Sequence, residues 1–300
     1  MKTNAFVKQL ASNKRTVRDN ALATLKKYLS SREKSKPLTT LELLKLWKGL
    51  YFTMWFSDRP LPQQRLANNL ASLFSDCVVD EQFLNFVEAF WTIMNRQWRE
   101  LDKWRVDKFY MLMRYVIREC FVKLQKDNWE EKQVDLYLQV LMGTILSDDS
   151  KYPIALQYHV IDVWVDELER VLFLQDEDEG DEENDTNLQE KLESEEDRLN
   201  RIEKRKQILQ EQNVPMDKLL KPFKAKMGRG HLQTLKEKVL DEILEDSRLL
   251  ELGVDVSYEK LTKSKAEEDN EDEEDEEDEE EEEGDEDEDE DEEEWKGFGN

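Results

Sequence analysis

Cysteine is scarce in this sequence. Cys77 and Cys120 are the only two among 300 residues, too few for a disulfide framework, which points to a reduced intracellular compartment. Glycine and proline are scarce as well, at nine and six, about half of ordinary usage, which argues against a loop-rich β fold and for helices. Histidine occurs twice, at His159 and His231. With the cysteines these show no zinc spacing, so a metal site would have to be assembled from scattered residues. A long apolar run is also missing. The most apolar stretch, Leu41 to Phe56, is broken by Glu42, Lys45 and Lys48 and is too short and too charged to span a bilayer. The opening residues Met1 to Lys8 lack the apolar core of a signal peptide. A soluble intracellular protein with no membrane partner is expected.

Acidic charge is abundant but unevenly placed. The formal net charge is −28, from 72 Asp and Glu against 44 Lys and Arg. Residues 267–294 hold 26 acids and no base, and residues 176–185 hold eight more, again without a base. Outside these runs 38 acids face 44 bases, a net +6 over 262 residues. Blocks of like charge repel themselves and resist folding. The expected organisation is therefore a helical domain over 1–174, an acidic linker over 175–187, C-terminal helices over 188–262 and a disordered acidic tail over 263–300.

Within 1–174 the apolar residues recur at helical spacing. Val17, Ala21, Leu22, Leu25, Tyr28 and Leu29 share one face, with a start at Asn13 or Thr16. The segment from about Thr40 to Ser57 is apolar around most of its circumference, with Glu42, Lys45, Gly49 and Thr53 as a narrow polar stripe. Such a helix is buried on most sides, so Trp47, Trp55 and Phe56 read as core in preference to RNA-stacking residues. Pro60 ends it, and Pro62 suits the first position of the next helix. Further helices are expected over 62–74, 81–98, 106–124, 129–146 and 154–173. Beyond the linker, Leu188, Leu192, Glu195, Leu199, Ile202, Lys206 and Leu209 sit at heptad spacing, with polar residues in two of the seven places, which favours a helix docking on the main domain over a coiled-coil seam. Pro215 and Pro222 bracket a short segment, and a last helix runs from Leu232 to Leu250. No segment alternates with period two. The fold expected is all-α, an irregular HEAT-like helical solenoid or a helical bundle, with the solenoid preferred.

Enzyme signatures are absent. Met227-Gly228-Arg229-Gly230-His231 lacks the third glycine and the preceding strand of a dinucleotide fingerprint. The dense carboxylates lie in runs that cannot hold a pair at catalytic geometry, and His159, in an amphipathic segment, reads as a hydrogen-bonded structural residue. No enzyme, cofactor, metal or small-molecule substrate is expected. Basic residues are more informative. Residues 1–75 carry 14 Lys and Arg against four acids, a local net of +10. Lys2, Lys8, Lys14, Arg15, Arg18, Lys26, Lys27, Arg32, Lys34 and Lys36 cluster in the first two helices and their loop. That patch is either an attractor of polyanions or the solvated face that every helix needs. Arg59 and Arg65 flank the proline-stiffened loop, either braced through Asp58 or presented to a partner. The acidic tail either binds basic proteins or only solubilises the chain.

The stretch from Leu46 to Asn68, Leu-Trp-Lys-Gly-Leu-Tyr-Phe-Thr-Met-Trp-Phe-Ser-Asp-Arg-Pro-Leu-Pro-Gln-Gln-Arg-Leu-Ala-Asn, resembles the signature of the nucleolar ribosomal RNA-processing protein 1 family. Phe6 to Ala11, Arg105 to Arg114, and Tyr158 to Asp162 with Asp166 and Glu167 agree with it. The likeness spans about 1–174 and loosens over 188–250. It implies a non-catalytic nucleolar assembly factor of the large ribosomal subunit, acting as a helical scaffold in pre-60S particles during precursor rRNA processing. The implied partners are pre-60S proteins, including Brix-domain assembly factors, with precursor rRNA reached directly or through them. The alternative is an acidic chaperone for basic proteins such as ribosomal proteins or histones, and a hydrolase or nuclease is a distant third.

Overall fold

A computed structural model describes residues 8–10, 12, 14–31, 37–174, 194–228 and 230–258. Lys2, the acidic linker, Leu188, Leu192 and the acidic tail lie outside the described residues. Among the described residues there are twelve α-helices and no strand. They are α1 (Arg15–Ser30), α2 (Thr40–Trp55), α3 (Pro60–Ala71), α4 (Leu73–Asp76), α5 (Asp80–Trp98), α6 (Val106–Lys126), α7 (Glu131–Gly143), α8 (Ile154–Phe173), α9 (Glu195–Glu211), α10 (Met216–Lys226), α11 (Gln233–Val239) and α12 (Ser247–Glu251).

Their contacts fall into two layers. In one, α2 packs on α5, α5 on α7 and α7 on α10. In the other, α3 packs on α6, α6 on α8, and α8 on α11 and the π-helical turn Leu240–Leu244 that extends it. Each helical pair stacks on the one before, which makes an irregular all-α solenoid.

The stack begins around α2. A reciprocal capping box starts this helix: Thr39 Oγ1 accepts from the Glu42 amide at 3.3 Å, and Glu42 Oε2 accepts from the Thr39 amide at 2.9 Å. Trp47 is fully buried, its ring 5.5 Å from Phe74, 5.0 Å from Phe86 and 4.8 Å from Phe90. The rest of the helix departs from the expected pattern. Gly49 and Thr53, read as part of the polar stripe, are buried. The Thr53 hydroxyl donates to the Gly49 carbonyl at 3.0 Å, and that internal bond lets it sit in the core. Phe56, read as core, is instead 61 % exposed. Trp55 is half-buried, with the Arg105 guanidinium over its ring at 4.6 Å.

Other boundaries shift for local reasons. Pro60, not Pro62, takes the first helical position of α3. The helix expected from Trp129 begins at Glu131, because Asn128 and Trp129 adopt φ of 52° and 53°. The Trp129 amide then donates back to the Leu124 carbonyl at 2.8 Å, closing the end of α6 in the manner of a Schellman turn. Pro222 does not end its segment. It lies inside α10, buried with Leu219, Leu220 and Phe223, where packing offsets the missing amide bond. The single helix expected over 232–250 is interrupted at Glu245, and the Asp246 side chain starts α12 by accepting from the Arg248 amide at 2.8 Å.

Two polar anchors brace the stack. Lys108, on the apolar face of α6, is buried, and its ammonium donates to the Trp55 carbonyl at 2.6 Å and the Ser57 carbonyl at 2.8 Å. Gln63 Nε2 donates to the same Ser57 carbonyl at 2.7 Å. Further along, Glu167 of α8 is fully buried and accepts from Arg114 and Arg118 of α6. Arg248 reaches from α12 to Asp166 at 3.0 Å and Glu169 at 2.7 Å, and Arg205 of α9 pairs with Glu169 at 2.7 Å. Trp164 continues the apolar seam, its ring 4.9 Å from Phe121 of α6 and 5.0 Å from Phe223 of α10.

Trp47→Ala should lower unfolding free energy by about 3–5 kcal/mol, whereas Phe56→Ala should change it by no more than about 0.5 kcal/mol; urea titration of both compares them directly. Lys108→Met leaves the Trp55 carbonyl without its lysine donor and the Ser57 carbonyl with Gln63 alone, and should cost about 1–3 kcal/mol, with faster hydrogen exchange at Phe56 and Ser57. His159 provides a pH test. Its Nε2 is 2.9 Å from the Tyr110 carbonyl and its ring lies on Tyr110, so the neutral ring carries its proton on Nε2. Burial lowers its pKa, against the opposing pull of that hydrogen bond. Below the ordinary histidine range the unfolded chain therefore binds a proton that the folded chain refuses. Stability from this group is full above about pH 6.5 and declines as pH falls towards the lowered value. His159→Gln should flatten that acid limb in melting curves taken across the range.

Candidate functional site

The basic residues that stand out in the sequence separate into three groups in the fold. Arg18, Arg59 and Arg65 come together. Lys8, on the helical turn at 8–10, and Lys14 and Lys27, at the start and end of α1, are exposed nearby. Lys26 is engaged, donating to Ser72 Oγ at 3.1 Å between α1 and the α3–α4 junction. Lys2, Arg32, Lys34, Lys36 and the side chain of Arg15 lie outside the described residues.

The convergence of the three arginines follows from local chain chemistry. Arg59 precedes Pro60, which forces it into extended geometry at φ −105° and ψ 137° and places it at the N-terminal edge of α3. Arg65 follows on the exposed side of that helix, and Arg18 faces it from α1, its Nη1 donating to the Ser12 carbonyl at 2.7 Å. Arg18 and Arg59 line a cleft of about 390 Å³ with Phe56, Asp58, Pro62 and Leu66. A groove of about 170 Å³ adjoins it, sharing Leu10, Arg18, Pro62 and Leu66 and adding Asp19, Leu22 and Arg65. The combined surface has an aliphatic floor, three guanidinium groups and two carboxylates.

Among the described residues, no ion pair joins Asp58 to Arg59 or Arg65. The bracing arrangement is therefore not formed, and both arginines present their charge outward. The loop that carries Asp58 and Arg59 is held from below by Lys108 and Gln63 through the Ser57 carbonyl. Burial lowers the Lys108 pKa, with Arg105 adding to the effect and Asp58 and Asp102 opposing it.

Phe56 on this surface and Lys108 beneath it are both missed as parts of the site by the sequence pattern. Phe56 ends an apolar run, and its exposure follows only from where α2 stops. Lys108 carries a readable signal: Leu112 and Val116 follow it at intervals of four, so it lies on the buried stripe of α6. A lysine in such a place needs several acceptors, and carbonyls at a helix end supply them.

The residues with catalytic potential are dispersed. Cys77 and Cys120 are free and buried, and burial raises the Cys77 thiol pKa. His231 Nδ1 lies 3.3 Å from Asp148, remote in sequence from His159. Among the described residues, no three His, Cys, Asp or Glu side chains gather as a metal site would require. No helix among them is long and apolar enough to cross a membrane.

Known proteins resemble this chain closely. The family described as nucleolar protein, Nop52, matches residues 1–298. "Ribosomal RNA processing protein 1 homolog B" of Mus musculus is 43 % identical over 169 residues, covering 55 % of this chain and 23 % of the mouse protein. "Ribosomal RNA processing protein 1 homolog A" of Homo sapiens is 39 % identical over 168 residues, covering 55 % and 36 %. The Caenorhabditis elegans homologue is 30 % identical over 164 residues, covering 55 % and 41 %. The matched region thus spans less than half the length of each relative. A family match over nearly the whole sequence makes this chain a member of the Nop52 nucleolar proteins, the ribosomal RNA processing protein 1 family.

Proposed function

We propose that this chain is a non-catalytic nucleolar assembly factor of the large ribosomal subunit. Its solenoid would act as a scaffold in pre-60S particles, so that precursor rRNA processing depends on its presence and no bond is cut by it. Family membership and the names of its relatives support a role in rRNA processing. The observation that carries the scaffold reading is the outward arginine surface. Arg18 from α1 and Arg59 and Arg65 from α3 and its N-terminal edge line two adjoining spaces, and among the described residues Arg59 and Arg65 are left without an acidic partner. A surface of that kind suits docking on an anionic assembly. Brix-domain assembly factors and precursor rRNA are the partners this reading names.

Depletion should accumulate large-subunit rRNA precursors and leave small-subunit maturation intact, read by northern blotting of both precursor sets; the opposite pattern would overturn the proposal. Charge reversal at Lys14, Lys27, Arg59 and Arg65 should abolish co-sedimentation with pre-60S particles. Lys26 is left out because it bonds Ser72 and its loss would disturb packing. Unchanged co-sedimentation would reject this face. Deleting 263–300 separates the acidic-chaperone reading, since that reading alone requires the tail for binding basic proteins.

A further inference from the structure

The cleft beside α3 combines features that select one kind of occupant. Its floor is aliphatic, from Leu10, Leu22, Pro62 and Leu66. Such a floor rewards burial of aliphatic or aromatic side chains, and the ring that borders it, Phe56, is a single aromatic and not a row on which successive bases stack. Its rim is cationic. Guanidinium groups bind carboxylates as two-pronged forks, and Arg59 and Arg65 have no such partner among the described residues. Helix N-termini commonly hold phosphate through backbone amides, but Pro60 and Pro62 remove two of those donors from the first turn of α3. Recognition here therefore falls on side chains.

The acidic members of the wall sharpen the choice. Asp58 faces the larger space and Asp19 the smaller. A strand with a phosphate at every step would bring negative charge against both. A peptide can place its carboxylates at the arginines and its amides or apolar side chains elsewhere. Phe56, 61 % exposed at the mouth, is the large apolar side chain that such a peptide would cover, and aromatic and arginine residues dominate binding at protein interfaces.

We infer that this cleft receives a short acidic peptide segment carrying apolar side chains, contributed by a partner protein of the particle. The inference rests on the scaffold reading for its biological setting, and its test does not depend on that reading. The experiment is selection from a randomised peptide display library on the purified full chain, with counter-selection on Arg59→Glu/Arg65→Glu. Enriched peptides should carry Asp or Glu interspersed with Leu, Ile or Phe. A synthesised winner should lose about tenfold or more in affinity against that variant, and separately against Phe56→Ser, as expected for truncated charge pairs and apolar anchors. All three side chains are exposed, so circular dichroism and melting should match the parent and exclude unfolding as the cause. Winners without acids, or equal binding to parent and variants, would overturn the inference. A randomised single-stranded RNA pool is run in parallel, and RNA held by the parent and lost by the same variants would also overturn it by assigning the cleft to nucleic acid. If selection fails while depletion still accumulates large-subunit precursors, only the peptide inference falls. If selection succeeds and precursors are unaffected, the scaffold reading falls.

Discussion

The last carbonyls of an α-helix have no amide partner of their own, and the C-terminal end of α2 resolves this with a lysine from another layer. Lys108 donates to the Trp55 and Ser57 carbonyls from the buried face of α6. A buried ammonium is costly without acceptors, and orphaned carbonyls are costly without donors, so each group removes the other's penalty. The consequence reaches past the bond. The chain turns at that point in one defined way, with Phe56 outward and α3 packed on α6. The cleft is a by-product of how one helix is terminated.

Much of the architecture is legible from spacing. α8 runs over the residues its apolar period marks, and α2, α5 and α6 differ from their patterns by two residues or fewer at each end. What spacing cannot show is the fate of residues at element ends, where one torsion decides the outcome. Trp129 reads as the start of a helix and instead adopts a left-handed turn. Pro222 reads as a stop and is carried inside α10 by its buried neighbours. Phe56 reads as core because it follows Trp55 in an apolar run. The arginines are legible as a basic cluster, but their meeting on one cleft is not. Arg18 and Arg65 are 47 positions apart, and their proximity depends on how α1 lies against α3.

The two ends of the solenoid are joined by different forces. Around α2 the contacts are aromatic and apolar, with Trp47 inside a cage of three phenylalanines. Around α9 and α12 the apolar contribution is thinner: no residue of α9 is fully buried and Leu199 is exposed. There Arg205 and Arg248 meet Asp166 and Glu169. Ion pairs at partly exposed sites contribute little stability, and desolvation offsets much of what buried pairs gain. Their value lies in geometry. A leucine face tolerates sliding by a turn, whereas a guanidinium shared by two carboxylates does not. α9 is thus held in register more by charge than by burial.

The net charge of −28 averages two acidic runs with a mildly basic remainder and does not describe the cleft. Charges act across roughly 8 Å at physiological ionic strength, so the cleft is read through Arg18, Arg59 and Arg65 against Asp19 and Asp58. That near balance carries a specific consequence. On the proposed reading, the net +10 that the sequence carries over residues 1–75 would draw polyanions towards the chain. Once a ligand arrives, the two carboxylates penalise those whose negative charge is continuous, and the aliphatic floor favours those with apolar groups between charges. Attraction and selection would then be separated: the first would belong to the whole basic segment, the second to the charged side chains that α1, α3 and the turn before α3 bring to the cleft.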